Sequence, residues 1–160
     1  MTLQINQKNI RRAQSSDFLE IAALDRESWG SDPKDAFIPD GEHAWRLWVE
    51  FAHVLVAEAD NQIVGAILAF PTIEKKEILF AVHKVFVHPQ YKGNGLGTRL
   101  FYQLLEILDK EEQAASFLTV QPQNKPAIKL YNNMGYESAK YVEGYYRPNE
   151  HRVVMVRQPL

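Results

Sequence analysis

A glycine-rich segment at residues 93–97 constrains this chain more than any other feature. It follows a Val- and Phe-rich run at residues 78–87 and precedes an amphipathic run at residues 98–110, an order that predicts strand, loop and helix. Glycine allows backbone dihedrals and a close ligand approach that a Cβ prevents. The first turn of the following helix offers N–H groups at the positive end of the helix dipole. The sequence therefore predicts an anion-binding loop for a phosphorylated molecule.

Composition limits the classes of function that this chain can have. The 160 residues are 46% hydrophobic, which predicts a single domain over residues 1–160. A net charge of -2 provides no global attraction to nucleic acid. Cysteine is absent, so disulfides, zinc–thiolate sites and thiol nucleophiles are excluded, and no metal site is predicted. No apolar run approaches the roughly 20 residues of a membrane span, and the start lacks a signal-peptide core, so we expect a cytoplasmic protein.

Hydrophobic periodicity and turn residues predict the order of elements. Loops are expected at residues 30–39 and 74–77, and Asp60-Asn61 is a turn-forming pair that predicts a hairpin between the strands on either side of it. Helices are expected after a cap at Ser15 or Ser16, at residues 41–51, at 96–110, and from Asn124 to Gly135. Strands are expected at residues 10–12, 54–57, 63–70, 78–87, 117–120, 136–146 and 153–156. This pattern indicates an α/β architecture of the α+β kind.

Two nucleotide-binding folds are disfavoured by the loop itself. A dinucleotide fold needs a third glycine where Thr98 stands, and it places its loop after the first strand of repeated βαβ units. A Walker loop ends in Gly-Lys-Ser or Gly-Lys-Thr, whereas Gly97 is followed by Thr98 and Arg99.

Two motifs in sequence resemble a known family. Residues 92–97 read Lys-Gly-Asn-Gly-Leu-Gly, and residues 124–136 read Asn-Lys-Pro-Ala-Ile-Lys-Leu-Tyr-Asn-Asn-Met-Gly-Tyr. They resemble the loop and the Asn-x-x-Ala-x-x-Leu-Tyr-x-x-x-Gly-Phe signature of the GNAT superfamily of acetyl-coenzyme A-dependent N-acetyltransferases. Lys92 departs from the glutamine or arginine that begins the family loop. The resemblance covers nearly the whole chain and implies a GNAT-like mixed, mostly antiparallel sheet of six to seven strands flanked by about four helices.

The resemblance implies acetyl-CoA as co-substrate. Loop amides would hold its pyrophosphate, with charge added by Lys92 or Arg99, and strand N–H groups would stabilise the oxyanion. Asn124 would cap its helix and touch the cofactor. The cofactor-binding residues expected on this basis are Val85, Phe86, Val87, Lys92, Gly93, Asn94, Gly95, Leu96, Gly97, Thr98 and Asn124.

Direct attack of an amine on a thioester, through a tetrahedral intermediate, needs a base and a proton for the departing thiolate. A phenol with a pKa near 10 stays protonated at neutral pH, and the resemblance makes Tyr131 the donor. Thr119 stands where one family branch, which acetylates ribosomal-protein N-termini, has a glutamate. Another branch, which acetylates arylalkylamines, uses a histidine nine residues before the loop motif, a position held here by His83. His88 and His151 are weaker alternatives.

The acceptor amine stays open between a peptide N-terminus, lysine, a polyamine and a small arylalkylamine. Residues 17–50 carry nine acidic side chains against three basic ones, which would attract a cationic amine. Trp29, Tyr145 and Tyr146, with Trp45, are candidates for an acceptor pocket. The tail from Gly144 is similar to that of protein N-terminal acetyltransferases, in which tyrosines contact the peptide backbone.

Two alternatives to an enzyme remain: a non-catalytic acyl-CoA-binding regulator and a nucleotide-binding module. Pairing of the C-terminal strands would allow a homodimer.

Overall fold

Seven strands and four α-helices make up the regular structure of residues 9–29, 39–74 and 77–160, which the computed structural model describes. The strands are β1 Ile10–Arg12, β2 His53–Ala59, β3 Gln62–Glu74, β4 Glu77–Val87, β5 Ala115–Val120, β6 Glu137–Val142 and β7 Arg152–Arg157. The helices are α1 Phe18–Ser28, α2 Glu42–Phe51, α3 Leu96–Ile107 and α4 Lys125–Asn133. None of the helices in these ranges is long and apolar enough to cross a membrane.

The strands form one sheet in the order β1-β2-β3-β4-β5-β7-β6. Pairing is antiparallel for β1 with β2, β2 with β3, β5 with β7 and β6 with β7, and parallel for β4 with β5. The parallel pairs join Leu79, Phe80 and Ala81 to β5, in the N-terminal half of β4. This mixed, mostly antiparallel sheet confirms the predicted fold class.

Internal contacts divide the chain into two compact units. One unit comprises Met1–Phe70 and His83–Leu104, and the other comprises Pro71–Val82 and Leu105–Leu160. In the first unit, Asp60 and Asn61 join β2 to β3 with φ values of 51° and 60°, the left-handed conformation that a tight hairpin turn requires. The predicted hairpin is therefore present.

The core of the first unit is built on Trp45, which is fully buried. Its indole meets Phe86 and Trp48 edge to face, with ring centroids 5.7 and 5.2 Å apart, an arrangement that aromatic rings prefer. The buried cluster consists of Ile21, Ala22, Leu24, Trp45, Val54, Val56, Ile63, Ala66, Leu68 and Phe86. On β3, a Cβ at Gly65 would lie 3.2 Å from Leu100 Cδ1, so the absence of a side chain lets α3 pack closely on the sheet.

The second unit is held by a buried guanidinium. Arg157, at the end of β7, is 5% exposed and donates two hydrogen bonds to the Asp109 carboxylate, at 2.7 and 2.9 Å. Its Nε also donates to the Met134 carbonyl oxygen at 2.9 Å. Arg157 therefore joins the C-terminal strand to the ends of α3 and α4.

Several element boundaries differ from the predictions; β3, for example, extends to Glu74, four residues beyond its predicted end. A 3₁₀ turn, Ser15–Asp17, precedes α1, and its cap position is Gln14 instead of Ser15 or Ser16; the Asp17 carboxylate accepts the Gln14 N–H at 2.6 Å, as in a capping box. Helix α3 ends at Ile107 and continues as a π-helical turn, Leu108–Glu112, which Gln113 closes with a φ of 49°. The predicted strand at residues 136–146 shortens to β6, because the chain turns after Val142: Gly144 has a φ of 59°, and the Tyr145 N–H donates to the Glu150 carbonyl oxygen at 2.9 Å. Strand β5 begins two residues earlier than predicted, at Ala115. Most of the loop predicted at residues 30–39, and the centre of the turn predicted at residues 74–77, lie outside the described residues.

We predict that Asp109→Ala lowers the free energy of unfolding by about 3 kcal/mol at neutral pH, because it leaves Arg157 as an unpaired buried charge. The Arg157 hydrogen bonds hold the pKa of Asp109 below its ordinary value. This stabilisation is therefore complete above about pH 4 and is lost as the pH falls through the folded-state pKa.

Chemical denaturation at several pH values tests this prediction. The difference between wild type and Asp109→Ala should shrink below about pH 4. Glu106→Gln is the control, since it breaks the exposed Lys110 pair and should cost less than about 0.5 kcal/mol. Equal losses for the two variants would contradict a structural role for the buried pair.

Candidate functional site

The glycine loop has the open backbone that an anion site needs. Gly93 and Gly95 adopt φ values of +83° and +74°, and a Cβ at either residue would meet nothing within 4 Å. The loop surface is therefore clear on the side where side chains would otherwise project. Helix α3 begins at once, with the Arg99 N–H donating to the Gly95 carbonyl oxygen at 3.0 Å. The N–H groups of its first turn precede the regular helical bonds and are suited to phosphate oxygens.

The other end of the loop is tied to α1. Lys92 Nζ donates to the Ser28 carbonyl oxygen at 3.1 Å, at the negative end of the α1 dipole. His88 Nδ1 accepts the Gln90 N–H at 3.1 Å, and its Nε2 lies 3.3 Å from Glu27 Oε1. The charge of Lys92, which was expected to face a phosphate, is therefore engaged by a helix terminus.

The strand segment expected to stabilise an oxyanion leads into this loop. Phe86 is buried in the core of the first unit. A Cβ on Gly97 would lie 3.7 Å from Val87 and 3.8 Å from Val85, so the start of α3 packs against both valines. All three side chains serve packing, and any contact with a reacting group would fall to their backbone N–H groups.

His83 lies on β4 within an aromatic and acidic environment. Its Nε2 is 3.0 Å from Asp40 Oδ2, and its ring centroid is 5.5 Å from Trp48 and 5.7 Å from Phe70. Its side chain is 28% exposed. The imidazole is therefore packed and oriented while it stays accessible.

The Asp40 carboxylate also accepts a hydrogen bond from Lys84 Nζ at 2.7 Å. The backbone N–H of Asp40 donates to Asp25 Oδ2 at 3.3 Å. Burial tends to raise the pKa of Asp40, but the hydrogen bonds from His83 and Lys84 outweigh it, and the pKa lies below its ordinary value. Asp40 is therefore a carboxylate at neutral pH.

Asp25 is a completely buried carboxylate at the centre of the same network. It accepts Lys84 Nζ at 2.9 and 3.1 Å, Trp45 Nε1 at 3.1 Å and Trp29 Nε1 at 3.1 Å. With the Asp40 N–H, four groups from α1, α2, β4 and the segment before α2 converge on it. The two tryptophans considered for an acceptor pocket are thus joined through Asp25, and Trp29 remains 39% exposed.

The acidic surplus of residues 17–50 is largely engaged within the protein. Asp17 pairs with Arg11, Glu27 with His88, Glu42 with Arg26 and Glu50 with Arg46. Glu20 accepts the Ile63 N–H at 2.8 Å, and Asp25 and Asp40 share Lys84. The excess of acidic residues is therefore weaker support for a cationic acceptor than the composition suggested.

The predicted donor Tyr131 lies on α4, in the second unit. It is half-buried and meets the ring of Tyr136 edge to face at 6.2 Å. Burial raises the pKa of the Tyr131 phenol, which keeps it protonated at neutral pH. Asn124 caps the same helix, as predicted, because its Oδ1 accepts the Ala127 N–H at 3.2 Å.

Tyr145 and Tyr146 lie between β6 and β7, also in the second unit. Their ring centroids are 4.8 Å apart, and the two residues are 38% and 56% exposed. The Tyr145 N–H donates to the Glu150 carbonyl oxygen at 2.9 Å, and the Gly144 N–H donates to His151 Nδ1 at 3.0 Å. His151 therefore has a structural role in this turn.

Sequence reasoning missed the network of Asp25, Lys84 and Asp40. One signal was available, because Asp25 falls on the apolar stripe of α1 with Ile21 and Leu24, where a charge requires a buried partner. No pattern in the sequence points from Asp25 to Lys84, which lies 59 positions further along the chain.

The amino-acid sequence matches a known protein family and several of its members. Residues 15–136 match the model of the acetyltransferase (GNAT) family. An N-alpha-acetyltransferase of Sulfurisphaera tokodaii is 30% identical over 91% of this chain and 90% of its own length. A putative [ribosomal protein bS18]-alanine N-acetyltransferase of Bacillus subtilis is 27% identical over 88% of this chain and 87% of its own length. An uncharacterized N-acetyltransferase of Methanocaldococcus jannaschii is 32% identical, but the match covers 58% of this chain and 42% of that protein.

Solved structures share the fold. The crystal structure of the ribosomal-protein-S18-alanine N-acetyltransferase from Escherichia coli superposes with a TM-score of 0.76 at 20% identity, covering 93% of this chain and 92% of that one. The sequence-based resemblance is thereby confirmed. The chain belongs to the GNAT family of acetyltransferases and is an acyltransferase with acetyl-CoA as its co-substrate.

Proposed function

We propose that this protein acetylates the α-amine of a peptide N-terminus. The observation that carries the proposal is the match to the N-alpha-acetyltransferase of S. tokodaii, which extends over nine tenths of both chains. The exposed pair Tyr145 and Tyr146 supports it, because two adjacent phenols can pack against and hydrogen-bond an extended peptide backbone.

The glycine loop would bind the donor, and acetyl-CoA supplies the activated acetyl thioester. The open backbone at Gly93 and Gly95 and the first turn of α3 fit a pyrophosphate, as the dihedrals and the clear space beside both glycines indicate. The loop residues therefore bind and orient, and Leu96 anchors the helix in the core.

His83 would accept the proton of the attacking amine. Its Nε2 is directed to Asp40, which leaves Nδ1 as the basic nitrogen of the neutral ring. The strand N–H groups of Val85, Phe86 and Val87 would stabilise the negative charge that develops on the reacting carbonyl oxygen. Tyr131 would donate the proton that the leaving thiolate needs, and its raised pKa keeps that proton available.

A free-thiol release assay tests the function directly, and the chain has no cysteine to add background signal. We expect release with peptides that carry a free N-terminus, and mass spectrometry should locate the acetyl group on the α-amine. The same peptides with a blocked N-terminus and an internal lysine are the matched controls. Release confined to lysine, polyamines, aminoglycosides or arylalkylamines would refute the proposed acceptor, and acetyl-CoA binding without any release would favour the non-catalytic regulator.

Tyr131→Phe should lower kcat by about 100-fold or more, because it removes the proton donor but keeps the ring. The Kd for acetyl-CoA should stay within about twofold, measured by isothermal titration calorimetry. In the wild type, deprotonation of this phenol should not reduce kcat below about pH 10, since burial raises its pKa. Tyr102→Phe, on the exposed face of α3, is the control. Parallel losses in kcat and affinity would contradict the donor role.

Gly95→Ala should weaken acetyl-CoA binding about tenfold. A side chain at a φ of +74° costs about 1–2 kcal/mol, and the new Cβ projects into the open face of the loop. Gly41→Ala is the matched control, because Gly41 has an ordinary φ of -76° and a Cβ there also meets nothing within 4 Å. Calorimetry with both variants distinguishes them, and unchanged affinity in Gly95→Ala would exclude the loop from the site.

A further inference from the structure

The carboxylate of Asp40 fixes which nitrogen of His83 carries the proton. An ionised carboxylate only accepts hydrogen bonds, so Nε2, 3.0 Å away, must be the donor. In the neutral imidazole the lone pair then resides on Nδ1. A single contact thus selects the tautomer and the basic atom.

Asp40 is itself fixed from two directions. Its N–H donates to the buried Asp25 at 3.3 Å, and its Oδ2 accepts Lys84 Nζ at 2.7 Å. Lys84, 9% exposed, is held in turn by both oxygens of Asp25. The position of the Asp40 carboxylate therefore depends on α1 and β4 as well as on its own segment.

The imidazole is held in place by packing as well. Trp48 and Phe70 stack nearly parallel, with an angle of 5° and centroids 6.1 Å apart, and each ring contacts His83 at an angle. Packing restrains the plane of the ring, but it does not select a tautomer. That selection falls to Asp40.

The charges around His83 also suit a ring that accepts a proton during the reaction. Asp40, which contacts His83, belongs to a network with Lys84 and Asp25, and the formal charges of these three groups sum to -1. An imidazolium, formed when Nδ1 takes a proton, brings the sum to zero. His83 and Lys84 contact the same oxygen of Asp40, so this carboxylate would compensate the imidazolium directly.

We propose that Asp40 is a positioning residue that holds His83 in the Nε2–H tautomer and presents Nδ1 as the proton acceptor. This inference rests on the proposed function, in which His83 is the base. Asp25 and Lys84 act through Asp40 by fixing its carboxylate.

A double-mutant cycle tests whether Asp40 acts through His83. We expect His83→Asn to lower kcat about 100-fold or more, the usual contribution of a general base. Asp40→Ala should lower kcat about 10- to 100-fold, which corresponds to the loss of one hydrogen bond to a charged group, with little change in KM. The double variant should be no slower than His83→Asn. Additive losses, or full activity of His83→Asn, would overturn the proposal.

Nitrogen-15 NMR of the histidine rings provides a readout that does not depend on turnover. At a pH where the ring is neutral, His83 should show a protonated Nε2 and an unprotonated Nδ1, with its signals identified by their loss in His83→Asn. Asp40→Ala should convert them to a mixture of tautomers, and Asp40→Asn should lie between. Glu50→Gln, which removes a charge from an exposed pair on α2, is the control and should leave His83 unchanged.

The proposed function and the positioning role of Asp40 can fail separately. If no peptide is acetylated but the His83 signals depend on Asp40, the proposed function fails and the positioning contact stands. If peptides are acetylated but the wild-type ring is protonated at Nδ1, or is the same in Asp40→Ala, the inference fails alone. Thermal denaturation of each variant separates these outcomes from unfolding.

Discussion

The buried carboxylate of Asp25 is the constraint on which the first unit depends. A charge removed from water needs compensation, and Asp25 obtains it from an ammonium, two indole N–H groups and one backbone N–H. Each donor comes from a different segment, so satisfying one carboxylate fixes their mutual positions. Removing Lys84 alone would leave an uncompensated buried charge, a defect of about 3–5 kcal/mol. The network therefore couples the placement of α1, α2 and β4 to the burial of a single carboxylate.

The second unit also contains a buried charge that needs compensation, but this charge is positive. Arg157 is the buried group, and Asp109 and the Met134 carbonyl oxygen compensate it. The planar guanidinium satisfies a carboxylate and a helix end at the same time, which a lysine at this position would not do. Tyr136 adds a neutral hydrogen bond to Ser116, and burial raises the pKa of Tyr136 to about 12. Tyr131 thus packs against a ring that is itself fixed.

Local patterns were enough to predict most elements of the fold. The Asp60–Asn61 turn, the helix cap at Asn124 and the strand before Pro89 all depend on neighbours in sequence, and each is present. Boundaries were less well predicted even where the deciding contacts are local, as at the end of β6, where Gly144 has a φ of 59° and the Tyr145 N–H donates to the Glu150 carbonyl oxygen. For the site, the loop and His83 were named from motifs, whereas Asp40 was not, because its importance arises from contacts with Asp25, His83 and Lys84. The Val- and Phe-rich run predicts strand β4, but no pattern in the sequence indicates which carboxylate will contact that strand.

The hydrogen bond between Lys92 and the Ser28 carbonyl oxygen affects how the loop would attract an anion at different salt concentrations. The carbonyl oxygen fixes the position of the ammonium without cancelling its charge, so Lys92 would add one point charge beside the backbone N–H groups of the loop. Attraction between exposed charges weakens as salt is added, whereas hydrogen bonds from amides are screened much less. An anion that reached this loop would therefore meet one fixed charge, whose attraction weakens as salt is added, and backbone N–H groups, whose hydrogen bonds weaken much less; at high ionic strength the shape of the loop would decide more of the selection.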